Sequence, residues 1–335
     1  MIGYYLEVIN GLTHLGIPVR ISIRAGSSAA DVLSALLVFE ILRRRRSLPH
    51  ATIGGLGVAA SPLLLLVASY HGNTDPLFVM LVLLGMFLIV DTRLVFLGGA
   101  ALALALGVTI VPTVVLPCLA VYLVRHRREV LGRGVTGFGL TLAVTWGPAV
   151  VSHGEALKRN VFGYAGIDYR PWGLVRLAND LGWSSGAHVL VGPGRYVIVA
   201  VSAAVPALLV WRRQEKVMEC AALSLAVFLA LSTAFGVQYL AWAVAPAYLL
   251  DVWSATLYSM FGGLVLYQIY AYWNHGLAWV HAAGYRPLTP DQGALLAMVW
   301  ASLLAVLVVG LQRVLADDPE GDMSPALSGA ADQTQ

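Results

Sequence analysis

Between Asp75 and Asp91 the chain runs through PLFVMLVLLGMFLIV without one polar side chain. A surface helix would carry a polar stripe, and a half-solvated strand would alternate; this run does neither. Only hydrocarbon or protein suits every face of such a segment. Comparable apolar runs recur at 22–42, 51–70, 134–151, 195–211, 217–234, 254–272 and 292–312. Charged residues make up 12% of the 335, roughly half the usual share of a soluble domain, so little solvated surface is encoded. The runs are broken by Gly and Pro and show no strand-like alternation, which points to helices and not to a barrel. The expectation is an all-α fold, a polytopic transmembrane helical bundle of about 9–11 membrane helices. The stretch 94–124 is too long for one crossing and contains Pro112 and Pro117, so it is expected to be a broken helix pair. Residues 239–251 add a further short helix.

Orientation follows from the cations. Thirteen of the 21 Lys and Arg fall in short clusters: 43–46, 93, 125–133, 212–216 and Arg313. An alternating chain puts all of them on one side, which the positive-inside rule assigns to the cytoplasm. The other side then holds the turn 71–75, a long loop 152–194, the segment 235–238 and the loop 273–291. Residues 1–312 form one membrane domain. The polar remainder, 313–335, is expected to be a disordered cytoplasmic tail. The net charge of +3 is dispersed in short clusters and gives no nucleic-acid surface. Cys118 and Cys220 lie in apolar stretches and read as core thiols. The first twenty residues lack a basic region followed by an apolar core, so no cleavable signal is read there. The alternation leaves Met1 on the non-cytoplasmic side. Either the first helix inserts unusually or the gene product starts upstream. No internal repeat is evident, which argues against a transporter of two related halves.

Four constellations of polar residues stand out. The first is His71, Asn73 and Asp75 in SYHGNTDPLFVM, between two apolar runs. Asp75 before Pro76 reads locally as a helix N-cap with proline in the first turn, with His71 and Asn73 as loop residues. The functional reading is that the helix N-terminus attracts a phosphate while the carboxylate and imidazole move a proton, bind a metal or hold a sugar hydroxyl. The second is helix 22–42, where Arg24, Ser27, Ser28, Asp31 and Ser34 fall on one face. Arg24 reads as a snorkelling interface residue, Asp31 as a partner for another helix, and the serines as a cavity wall. The third is the outer stretch with Tyr164, Asp168, Arg170, Trp172, Arg176 and Trp183, which suits a sugar and a phosphate, or an interfacial aromatic belt. The fourth is Gln238, Tyr239 and Trp242 on one helical face at a span's end. His275 and His281 sit among tryptophans at a spacing that matches no zinc pattern, and read as interfacial. No phosphate loop, GxSxG elbow or HExxH motif is present, so no nucleotide cofactor is implied.

Several of these segments, taken in order, carry a resemblance. VRISIRAGSSAADVLSALLVFEILRRRR, HGNTDPLFVMLVLLG, LALALGVTIVPTVVLP, FGYAGIDYRPWGL and FGVQYLAWAVAP resemble successive elements of the GT-C glycosyltransferase superfamily. The nearest subgroup is the bacterial polyprenyl-phosphate-sugar-dependent, mannosyltransferase-like enzymes, and the resemblance runs from about residue 1 to 312. It implies an integral protein of the bacterial plasma membrane with its active side facing outward. It implies a polyprenyl-phosphate sugar donor, with mannose as the sugar the subgroup suggests, and a lipid, glycan or protein acceptor, usually with inversion. It implies Asp75 and His71 as catalytic groups. Asn73, Tyr164, Asp168, Arg170, Trp172, Arg176, Gln238, Tyr239 and Trp242 would bind the substrate. A divalent metal ion is left open. Two departures stand beside the resemblance. The family's first outer-loop acid has no counterpart, since Glu7 is the only acid before Asp31, and a lysine expected near Thr109 is missing. Two other classes remain in view: a transporter or flippase of a lipid-linked or polar solute, and a non-catalytic membrane subunit.

Overall fold

The structure, a computed structural model, describes residues 2–163, 172–274 and 287–316. Among the described residues it is all-α, without a β-strand. The helices are α1 (Ile2–His14), α2 (Val19–Arg43), α3 (Leu48–Ala59), α4 (Pro62–Leu65), α5 (Asp75–Val90), α6 (Val95–Val108), α7 (Leu116–His126) and α8 (Arg128–Leu157). They continue with α9 (Gly173–Asp180), α10 (Ser184–Val189), α11 (Arg195–Arg212), α12 (Val217–Leu231), α13 (Val244–Leu250), α14 (Val252–Trp273) and α15 (Pro290–Leu315). A π-turn, Leu66–His71, extends α4, and 3-10 segments at Val111–Val114 and Val237–Ala243 lead into α7 and α13. Proline sits in the first turn of α3, α4, α5 and α15, where a missing N–H costs nothing. A Thr289–Gln292 capping box starts α15.

Five stretches are long and apolar enough to cross a membrane: Val19–Arg43, Leu48–His71, Arg128–Val161, Ser184–Arg212 and Pro290–Leu315. The chain is thus built as an integral membrane protein. Other apolar helical stretches are shorter: Asp75–Val90, Val95–Val108, Val111–His126 and Val237–Leu250. At 1.5 Å per residue a helix of sixteen residues reaches only about 24 Å, against a hydrocarbon thickness of about 30 Å. Non-helical backbone at that depth must be covered by protein or face a wet cavity. This constraint governs the site, because α5 begins, α6 ends and α12 ends around one space.

The basic clusters meet at one end of the bundle. Arg45 pairs with Asp91 at 2.6 Å, joining the ends of α2 and α5. Arg127 donates to the carbonyls of Ile89 and Thr92, each at 2.9 Å, and so ties α7 to the same corner. Arg125 lies 4.2 Å over the Trp211 ring. Arg213 donates to the Ala316 carbonyl at 3.1 Å, and Arg313 pairs with Asp251 at the head of α14. Asp251 also caps α14 by accepting from the Ser254 amide at 2.7 Å.

Glycine sets the tightest packing. A side chain on Gly99 of α6 would strike the Gly134 carbonyl oxygen of α8, and one on Gly137 would strike that of Phe96. The two backbones therefore pass in direct contact, as small residues allow in membranes.

Two expectations about segments are corrected. The stretch 152–194 is not a loop throughout. Helix α8 kinks at His153 and resumes to Leu157, and α9 and α10 follow, because Val175 and Ala178 bury one face against Ala187. The chain past residue 312 is not irregular at once, since α15 runs on to Leu315. The rest of the expected tail, and the histidines at 275 and 281, lie outside the described residues.

Candidate functional site

The turn after Tyr70 is held by two side chains of α2. Arg24 of α2 donates to the Tyr70 carbonyl at 2.9 Å, and the Ser27 hydroxyl donates to the Asn73 carbonyl. Arg24 is therefore engaged by the turn and is no free snorkelling residue. Gly72 ends the π-turn at φ 68°, a left-handed conformation that glycine adopts without penalty. A side chain there would meet Arg24 only at ordinary van der Waals distance, so the backbone angle and not a lack of space selects glycine. Of the expected polar face of α2, Ser27 and Ser34 are buried while Ser28 is exposed, so the face is narrower than the spacing implied.

Asn73 then sets the aspartate. Its side-chain oxygen accepts the Asp75 amide proton, and its Nδ2 donates to Asp75 Oδ2 at 2.8 Å. Thr74 occupies the N-cap position and makes no side-chain cap bond. Asp75 is thus the first helical residue of α5 and not its cap, as local reading had it. The carboxamide two residues earlier satisfies the freed amide, so the carboxylate need not fold back on its own helix. It lines a cavity of about 420 Å³.

Helix ends supply the rest of this cavity. Thr109 and Thr113 come from the break between α6 and α7, Ser232 and Thr233 from the end of α12, and Arg195 and Tyr196 from the start of α11. Tyr239 and Trp242 form an aromatic wall. Their rings stack at 4.0 Å because they lie three apart in a 3-10 segment, where such residues eclipse. Trp242 is further fixed by the edge of Phe78 at 5.6 Å and by Phe228 at 6.4 Å. Its buried indole N–H acts on the Asp75 carboxyl and makes no hydrogen bond of standard geometry among the described residues. Arg195 donates to the Tyr196 hydroxyl at 2.8 Å, and its guanidinium lies 4.8 Å from that ring's centre.

Of the residues singled out in the sequence, the cavity brings together Asp75, Tyr239 and Trp242. The others go elsewhere. His71 meets the Tyr270 hydroxyl through Nδ1 at 3.1 Å, in a cluster where Tyr70 and Tyr270 pack at 4.4 Å and Asn274 donates to the Tyr70 hydroxyl. Gln238 lies against Gly236, because a 3-10 period separates it from Tyr239 and Trp242 where an α-helical one would group them. Trp172 is 1% exposed, stacks on Phe235 at 4.3 Å and donates to the Leu229 carbonyl at 2.9 Å, which makes it a core residue. Arg176 pairs with Asp180 at 3.0 Å and donates to the Gly293 carbonyl, pinning α9 to α15. Tyr164, Asp168 and Arg170 lie outside the described residues.

Sequence reasoning missed Arg195. The signal was available: it stands outside the thirteen clustered cations, just after Gly192, Pro193 and Gly194. A lone arginine opposite the basic end calls for a reason beyond topology. Among the described residues no three His, Cys, Asp or Glu side chains come together to hold a metal ion. No protein-family model, curated protein or solved structure matches the chain.

Proposed function

We propose that this protein transfers a sugar from a polyprenyl-phosphate carrier to a lipid, glycan or protein hydroxyl, at the cavity that Asp75 lines. The observation that carries the reading is the position of Asp75. Its capping duty is taken by Asn73, and its carboxylate shares a cavity with a cation and an aromatic wall. A carboxylate, a cation and an aromatic face are the groups that glycosyl transfer from a phosphate needs.

Asp75 takes the acceptor hydroxyl proton as that oxygen attacks the anomeric carbon. The bond between the anomeric carbon and the phosphate oxygen breaks, with inversion. Arg195 faces the charge left on the departing phosphate. Tyr239 and Trp242 offer the apolar face of the sugar a stacking surface. Arg195 replaces Arg176 as the proposed phosphate partner, since Arg195 lines the cavity and Arg176, bonded to Asp180 and Gly293, does not. His71, paired with Tyr270 outside the cavity lining, is assigned no proton transfer. The mannose preference and the outward orientation in a bacterial plasma membrane belong to the same proposal and rest on the family resemblance.

A second reading, transport of a lipid-linked or polar solute, draws on Asp31. It is half-buried midway along α2 and carries no ion pair among the described residues. Intramembrane acids of that kind often mark a transport path. The test is to offer purified protein a polyprenyl-phosphate sugar with candidate acceptors. Transfer predicts released polyprenyl phosphate, and Asp75→Asn lowers its rate by about 100-fold or more. Vesicle-to-vesicle-face movement of the intact donor, with no release, would support the transport reading instead.

A further inference from the structure

A second cavity, of about 440 Å³, lies at the basic end, between the last turns of α7 and α11 and the start of α12. Its polar wall is formed by Tyr122, His126, Arg212, Gln214 and Glu215. Several of this end's cations are engaged by protein: Arg44 and Arg45 by Asp91, Arg127 by two carbonyls, Arg313 by Asp251. Arg212 and Glu215 are both exposed at the mouth of the cavity. They line one cavity, carry opposite charges, and neither has an ion pair or hydrogen bond among the described residues. They also do not pair with each other, so they stand more than 4.0 Å apart. Such a pair fits a ligand that carries both signs on one short group.

The walls leading to the cavity are apolar. Val201, Val205, Leu208 and Trp211 recur every three or four residues along α11 and are all exposed, so they form one outward face. In a membrane that face meets acyl chains, and it runs straight to Arg212. Arg125, stacked over Trp211, adds a fixed cation at the same lip.

We propose that this cavity binds the headgroup of a phospholipid bearing a primary amine, a phosphoethanolamine lipid, with its acyl chains along the exposed face of α11. The phosphate oxygens accept from Arg212. The ammonium donates to Glu215, which a purely anionic headgroup would leave repelled. A trimethylated amine has no N–H to give Glu215. This site is separate from the Asp75 cavity and does not depend on the transferase reading.

The test is native mass spectrometry of the purified protein in uncharged detergent. Phosphatidylethanolamine, phosphatidylglycerol and phosphatidylcholine with identical acyl chains are supplied in equal amounts. The expected result is one phosphatidylethanolamine retained per protein, about fivefold over phosphatidylcholine. Arg212→Gln should lower retention of all three lipids. Glu215→Gln should erase the preference for the primary amine and raise phosphatidylglycerol. Arg128→Gln, at an exposed neighbour outside the cavity, should change nothing. Melting temperatures in detergent alone should match the parent and exclude unfolding. Equal retention of ethanolamine and choline lipids by the parent would overturn the proposal, as would a preference for phosphatidylglycerol or an unchanged ethanolamine preference in Glu215→Gln. Full displacement by soluble glycerophosphoethanolamine at equal concentration would reassign the site to a free phosphate ester.

Discussion

Because the Asn73 carboxamide both accepts the Asp75 amide proton and donates to the Asp75 carboxylate, truncating it acts twice. Asn73→Ala leaves an amide at the start of α5 without its partner, which costs about 1 kcal/mol. It also frees the carboxylate to turn back and cap its own helix. Transfer measured at saturating donor should therefore fall about 10- to 100-fold while the melting temperature moves only slightly. Asn73→Asp keeps the amide bond but sets two carboxylates side by side, and should rescue stability without rescuing transfer. Arg195 makes a different prediction. If its guanidinium meets the donor phosphate, Arg195→Gln lowers kcat/KM for the polyprenyl-phosphate sugar by about 10- to 100-fold, the value of one charged hydrogen bond. Steady-state kinetics over a donor series checks this, and unchanged kcat/KM would remove Arg195 from the site. The pairing of a local amide with a carboxylate could be suspected from NTD alone, but which residue caps and which is released depends on backbone angles that no pattern states.

At the level of elements, the site is a consequence of helix length. Four short apolar helical stretches begin or end at its walls, and each end must find cover or water. The sequence announced the break at 109–115 through Pro112, because a proline inside an apolar run removes a helix hydrogen bond and crowds the preceding turn. It did not announce the 3-10 segment Val237–Ala243, since residues 238, 239 and 242 suit an α-helical face equally well. That one change of period separates Gln238 from its expected neighbours. The contact between α6 and α8 gives the element-scale prediction. Gly137→Leu would force a side chain into the Phe96 carbonyl and push the helices apart. The expected destabilisation is about 1–3 kcal/mol, read as a lowered melting temperature in detergent. Gly139→Leu, two residues on and facing open space, should leave it unchanged.

For the molecule as a whole, the class of fold was plain from composition and uninterrupted apolar runs, since those alone dictate what solvent a chain can meet. The gathering of arginines at one end was legible for the same reason. Interior placement was not. Trp172 and Arg176 look like binding residues in a string of letters, yet one is buried against Phe235 and the other ties α9 to Gly293. Aromatic and cationic side chains serve packing and recognition alike, and only neighbours distinguish the two uses. Both cavities lie where apolar helices meet, one beside Asp75 and one beside Arg212. The central claim concerns the first of them. The most direct measurement is release of polyprenyl phosphate from a polyprenyl-phosphate sugar by the purified protein, compared with its Asp75→Asn variant at equal melting temperature. The account predicts acceptor-dependent release by the parent and a loss of about 100-fold or more in the variant. Equal rates in the two proteins, or intact donor recovered from both, would contradict it.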